Sequence, residues 1–339
     1  TSHISHLKSQ KHMSLYPLKF RPILKELIWG GDKLETKLGK DLQGKNNVGE
    51  SWELSAVAND ISVVENGALA GNNLQEIIEI YMDELVGEKV FTKYGKEFPL
   101  LIKFIDANAD LSIQVHPNDL QARQRHHAFG KTEMWYALDD AENPRLITGF
   151  NKDTNREEFQ EKLNNGTLTE ILNYEEVKKG DVFFVPAGRV HAICAGCLVL
   201  EIQETSDVTY RIYDYKRTDA EGKERELHLD LALDVIDYTK VKNPKQPYSI
   251  DHNEPSELVK CEYFTTNILE INKKIERDYY RFDSFAIAVC VDGEVVVEGD
   301  DFEPVKLKAG ETVLIPAAVG HVFYQPQSDN TKIIEVYID

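Results

Sequence analysis

The chain has little cysteine, little positive charge and no long apolar run. Four cysteines in 339 residues, at 194, 197, 261 and 290, are too few to staple a fold of this length. That excludes a disulfide scaffold and fits a reducing, cytoplasmic setting. One of the longer apolar runs, Phe285 to Val291, is strand-sized, whereas a membrane helix needs roughly 20 such residues. Lys and Arg number 39 against 58 Asp and Glu, a formal net charge of −19. Such a field repels nucleic acid and anionic membrane, so neither is expected as a partner. An anionic small molecule needs a local gathering of Lys and Arg. The opening TSHISHLKSQKH is polar, without an apolar signal core, so residues 1–13 read as a leader or an added segment.

The length exceeds what one compact core accommodates and predicts two domains. Leu74 to Val86 has helical apolar spacing, with Asn73 and Glu76 as a capping box and Gly87 as a stop. Asn155 to Leu163 and Leu229 to Tyr238 read as further helices. Most of the rest reads as short strands: PLLIKFI, LSIQVHP, EMWYAL, DVFFVPAG, CLVLEIQE and VTYRIYDY. Short strands without alternating helices favour a sandwich or barrel over a parallel α/β sheet. An internal echo supports this: GDVFFVPAGRVH at 180–191 returns as GETVLIPAAVGH at 310–321. Both read Gly, five residues, Pro, four residues, His. The expected fold is therefore mainly β, with two copies of one barrel. Residues 14–243 form the first, with a small helical insertion, and residues 244–339 the second.

One constellation in the first copy carries chemistry. Alternation puts Ser112, Gln114 and His116 on one strand face, and Lys131, Glu133 and Trp135 on another. His191 follows a Pro-Ala-Gly turn that holds it at a strand edge. Two imidazoles and a carboxylate facing one cavity make an open site for a divalent metal, with Gln114 as a possible fourth ligand. Zinc suits this set, and so does non-haem iron. The second copy has His321 but no Gln–His pair in the preceding strands, so it is expected to bind no metal. Cys194-Ala-Gly-Cys197 lacks a second pair to complete a zinc knuckle, and buried thiols are the simpler reading.

GDVFFVPAGRVH fits the second signature of cupin (jelly-roll) barrels, and QVHP followed by Glu133 fits the first, with Gln114 replacing its first His. LSIQVHPND, GKTEMWY, VPAGRVHAI and SDVTYRIYDYKR, in that order, resemble the type I mannose-6-phosphate isomerase family in its shorter bacterial form. WGG at 29–31 and GESWELS at 49–55 are similar too. The resemblance implies a zinc-dependent isomerase interconverting mannose 6-phosphate and fructose 6-phosphate. It places one zinc on Gln114, His116, Glu133 and His191, and the catalytic arginine at Arg211.

The chemistry moves a proton between C1 and C2 through a cis-enediolate, which needs a Lewis acid, a base and a grip on phosphate. Arg211, Lys103 and Lys131 are the basic candidates. Arg211 suits an enediolate oxygen or phosphate, since arginine keeps its proton. Lys131 is either the proton carrier or a fixed charge. Lys103 either snorkels outward or points into the cavity as a substrate contact, and Ser112 could add a hydroxyl. An iron-dependent cupin oxygenase and a non-catalytic sugar-binding cupin are the alternatives. The first leaves the basic set unexplained, the second does not need an open metal site, and oligomeric state is left open.

Overall fold

The computed structural model describes residues 14–140, 142–218 and 221–339. The expected leader, residues 1–13, lies outside them. Four larger antiparallel sheets carry the fold. The first runs, in spatial order, Val182–Val185, Glu133–Ala137, Leu198–Glu204, Leu100–Asp106, Val48–Leu54 and Ile23–Gly31. The second runs Leu172–Glu176, Arg145–Phe150, His191–Ile193, Ile113–Val115 and Tyr210–Tyr213. The third runs Leu18–Lys19, Thr312–Ile315, Ala286–Asp292, Thr331–Tyr337, Thr265–Ile271 and Ser256–Lys260. The fourth runs Ile275–Asp278, His321–Pro326, Glu294–Glu298 and Val305–Lys308. The fold is mainly β as expected, and among the described residues these ladders stay open, with no closed barrel found.

Strand alternation decides what each face meets. Along Leu100–Asp106, Leu100, Ile102 and Phe104 join a large core that also holds Ile268, Ile287, Leu314 and Val336 of the third sheet. Leu101, Lys103 and Ile105 turn the other way and line a cavity. The first and third sheets thus share one apolar layer. Thr266 Oγ1 approaches Met134 Sδ across it at 3.2 Å. Residues from Leu74 to Val86 fill one end of the same core.

The helices depart from expectation at their ends. Asn73 and Glu76 do form a reciprocal capping box, but the helix stops at Tyr81. Met82, at φ 49°, breaks it before Asp83–Val86 resumes. The expected Asn155 to Leu163 helix is Arg156–Asn164, with Asn155 as its N-cap. Leu229–Leu233 ends short of Tyr238, because the chain beyond it turns to brace its neighbours: Asp237 N donates to Gly188 O at 2.8 Å. Asp119–His126 is a helix that periodicity missed, although Asn118 and Gln121 cap it reciprocally.

The echo in the sequence is an echo in register. Val185 pairs with Glu133 in the first sheet, and Ile315 with Ala286 in the third. Glu201 lies opposite Trp135 and Lys103, and Glu335 opposite Ala288 and Asn267. Ala286 therefore occupies the ladder position of Glu133. In the second copy, Glu335 accepts from Arg277 Nη2 at 2.7 Å and from Tyr279 Oη at 2.8 Å. A buried arginine is the cation there. His321 instead meets Glu276 at 2.7 Å, with its side chain about a third exposed.

Candidate metal centre and active site

Glu133 comes from the first sheet, His191 opens a strand of the second, and His116 follows directly on another strand of the second, Ile113–Val115. All three are buried, and one ligand atom from each lies within 4.8 Å of the others. His191 opens its strand directly after the Pro186-Ala-Gly188 turn. Gly188 sits at φ +87°, and a Cβ there would come within 2.9 Å of Val235 O. The turn needs glycine on both counts.

Backbone carbonyls orient both imidazoles. His116 Nδ1 lies 2.9 Å from Val208 O, and His191 Nδ1 lies 2.8 Å from Arg189 O. Each Nδ1–H therefore donates outward and leaves the Nε2 lone pair facing Glu133. The Nε2 atoms of His116 and His191 lie 3.6 and 3.3 Å from the Glu133 oxygens. Burial, then the Lys131 charge, holds His116 well below its usual range. Burial pushes His191 down to about 4. Both rings are neutral at pH 7, as metal ligands must be.

A metal is tested by what the site otherwise leaves unsatisfied. His116 Nε2 and both Glu133 oxygens are buried without a hydrogen-bond partner, although the Lys131 ammonium forms an ion pair with Glu133 Oε2 at 3.3 Å. Burial, then the Glu201 carboxylate, pushes the Glu133 carboxyl up. Orphaned lone pairs on buried ligands cost free energy unless a cation is shared among them. The residues fit a divalent ion. Gln114 Nε2 lies 3.2 Å from His191 Nε2, and a half-turn of the amide brings its carbonyl oxygen to the same place.

Beside the triad lies a cavity of about 190 Å³. Lys103 and Lys131 border it, and each is held by carboxylates. Lys103 Nζ lies 3.0 Å from Glu201 and 3.5 Å from Glu50. Lys131 Nζ lies 3.3 Å from Glu133 and 3.8 Å from Glu201. Burial works against charge on Glu201, but Lys103 and then Lys131 outweigh it and hold the carboxyl below its usual range. Trp135 Nε1 donates to Glu201 at 2.7 Å and Trp52 Nε1 to Glu50 at 2.6 Å, so the tryptophans pin these carboxylates.

Comparison with known proteins identifies the family. Residues 18–155 match the family model "Phosphomannose isomerase type I, catalytic domain", and residues 255–334 match "Mannose-6-phosphate isomerase, cupin domain". The chain is 36% identical to the probable mannose-6-phosphate isomerase GmuF of Bacillus subtilis, over 90% of this chain and 95% of that one. It is 37% identical to mannose-6-phosphate isomerase ManA of the same organism, over 91% and 95%. The crystal structure of the Bacillus subtilis mannose 6-phosphate isomerase superposes with a TM-score of 0.85 at 32% identity, covering 95% of this chain and 99% of that one.

The chain belongs to the type I phosphomannose isomerase family.

Within this family member, the cavity collects every residue that the sequence proposed for the site or brings it close. Ser112, Gln114, Lys103, Lys131 and Arg211 line it, while His116, Glu133 and His191 lie buried in the triad beside it. Lys103 points inward and does not snorkel to solvent. Ser112 Oγ reaches Gln114 Oε1 at 3.5 Å, a long contact. Arg211 pairs with Gln114 across the ladder, and its Nη1 donates to Glu226 O at 2.9 Å. Cys194 and Cys197 are buried free thiols. Sequence reading missed Glu50, Asp207 and Arg225, which also line the cavity. Glu50 shares a strand face with Trp52, so alternation within GESWELS could have found it. Arg225 leaves no such signal, because it lies between Tyr210–Tyr213 and Leu229–Leu233, outside any periodic element.

Proposed function

We propose that this chain interconverts mannose 6-phosphate and fructose 6-phosphate through a cis-enediolate, with one zinc held by His116, Glu133, His191 and Gln114. The observation that carries this reading is the buried triad with orphaned ligand atoms, set beside a cavity that gathers cations in an acidic protein. Two imidazoles and one carboxylate suit zinc and leave a position open. When bound, zinc supplies a Lewis acid that polarises the sugar carbonyl.

The chain's own residues do the rest in this reading. Arg211 meets negative charge on the substrate, on an enediolate oxygen or on the phosphate, without giving up a proton. Lys131 carries the proton between C1 and C2, drawn toward the site by Glu133 and Glu201. Lys103 and Ser112 contact substrate hydroxyls. Trp52 and Trp135 keep water from the carboxylates they bond. Residues 14–243 hold the chemistry, and residues 244–339 support it through the shared core. The four free thiols are consistent with a reducing cytoplasm.

The test is a coupled assay of purified protein of known metal content, with mannose 6-phosphate and glucose 6-phosphate side by side. Turnover of the mannose ester that is lost on chelation and restored by zinc is expected. Full activity in rigorously metal-free protein, or no turnover of mannose 6-phosphate in zinc-loaded protein, defeats the reading.

A further inference from the structure

Charge is distributed unevenly around the cavity. At its floor, Lys103 and Lys131 lie among Glu50, Glu133 and Glu201, two cations against three carboxylates. A dication leaves this floor with a single net positive charge, which the reacting oxygens would draw on. A phosphate dianion needs other cations. Two border the same cavity, Arg211 and Arg225.

Among the described residues Arg211 forms no ion pair with a carboxylate, and Arg225 shares its one carboxylate with Arg217. Arg211 Nη1 meets an uncharged carbonyl, that of Glu226, and its Nε is buried without a hydrogen-bond partner. Burial, then the like charge of Arg225, pulls Arg211 below its usual range, so the two groups feel each other. Arg225 is turned as a fork onto one carboxylate: its Nε donates to Asp214 Oδ2 at 2.6 Å, and its Nη2 to Asp214 Oδ1. Asp214 is buried and does not line the cavity. Arg217 holds it from another side and donates to Asp110 O at 2.5 Å. One carboxylate is thus shared between two arginines and leaves Arg225 with net charge. A bidentate fork also fixes the guanidinium plane in advance of any ligand. Two preorganised guanidiniums facing one cavity repel each other, and an anion between them removes that cost.

We infer that Arg225 is a phosphate-binding residue, which together with Arg211 grips the phosphate end of a sugar phosphate, and that Asp214 is its positioning residue. This rests on the sugar-phosphate reading above.

The probe is inorganic phosphate, titrated calorimetrically into metal-loaded wild type, Arg225→Ala, Arg225→Lys and Asp214→Asn. Hexose-phosphate kinetics run alongside. Arg225→Ala weakens phosphate about 10- to 100-fold, the loss of one charge-assisted contact, and raises KM comparably. Its kcat falls by about threefold at most, the signature of lost ground-state binding. Arg225→Lys recovers part of the affinity. Asp214→Asn shifts phosphate affinity and KM together by a smaller factor, whereas a purely structural role would lower folded yield and leave KM alone. Unchanged phosphate affinity in Arg225→Ala, with metal content intact, overturns the inference even if the protein isomerises mannose 6-phosphate. Wild-type protein without turnover refutes the functional reading, and the phosphate titration still decides the role of Arg225.

Discussion

Lys131 and Arg211 border one cavity, yet arginine keeps its proton in proteins, whereas a lysine can give one up. That difference makes them separable by substitution. Arg211→Ala keeps its metal and fold, because the side chain ligates nothing. If it stabilises charge that develops in the transition state, kcat falls about 10²–10³-fold with little change in KM. A rise in KM alone leaves Arg211 only the phosphate grip inferred above. For Lys131, Lys131→Arg keeps charge and affinity but loses turnover if the ammonium carries the proton. Substantial activity in Lys131→Arg, with only weaker binding in Lys131→Met, reduces it to a counter-ion for Glu133 and Glu201. Reaction in deuterated water adds an independent readout. A base in exchange with solvent places deuterium at C1 or C2 of the product, and its strict absence at high conversion favours a hydride shift.

The Pro186-Ala-Gly188 turn shows how one element sets the site. It delivers His191 to its strand, and Gly188 is fixed twice over: Gly188 N donates to His116 O at 2.9 Å, and Gly188 O accepts from Asp237 N. The turn therefore ties both histidine ligands and the end of the Leu229–Leu233 helix together. Gly188→Ala places a Cβ against Val235 O in left-handed backbone. The expected cost is about 1–3 kcal/mol in denaturant unfolding, accompanied by reduced zinc content as His191 shifts. Lost stability with full metal occupancy would mean that the turn supports the fold without positioning the ligand.

Across the whole molecule, the first and third sheets share a register but differ in what they hold. The first contributes Glu133 to a triad with orphaned ligand atoms, while the third buries Glu335 against Arg277. Elemental analysis is therefore expected to give one zinc per chain, and His321→Ala to lose none. Two metals per chain, one of them lost in that variant, would contradict this. Arg277→Met leaves Glu335 buried without its cation. The expected destabilisation is about 3–5 kcal/mol, with zinc content unchanged. Because the third sheet shares its core with the first, the two halves should melt together, and a loss in one should appear as a loss in both.

The sequence alone determined the mainly β character, the repeat at an offset of 130 residues and the metal triad. Each rests on local signals: period-two alternation, a Gly-Pro-His spacing and ligand types placed at strand ends. The Asn73 capping box was legible for the same reason, since its partners lie three residues apart. Helix ends were not. Met82 breaks its helix at positive φ without a local signal, and Leu229–Leu233 stops early where the chain beyond it bonds to distant Gly188, which no local pattern encodes. The open ladders where barrels were expected, the inward turn of Lys103 and its pairing with Glu50 and Glu201 also depend on which strands become neighbours. Arg225 is the clearest case. It lies outside any periodic element and reaches the cavity only because Asp214, eleven residues earlier, is buried beside it. Alternation can assign a residue to a face. Only tertiary packing decides which charges meet across that face, because Coulomb and desolvation energies depend on distances between residues far apart in the chain.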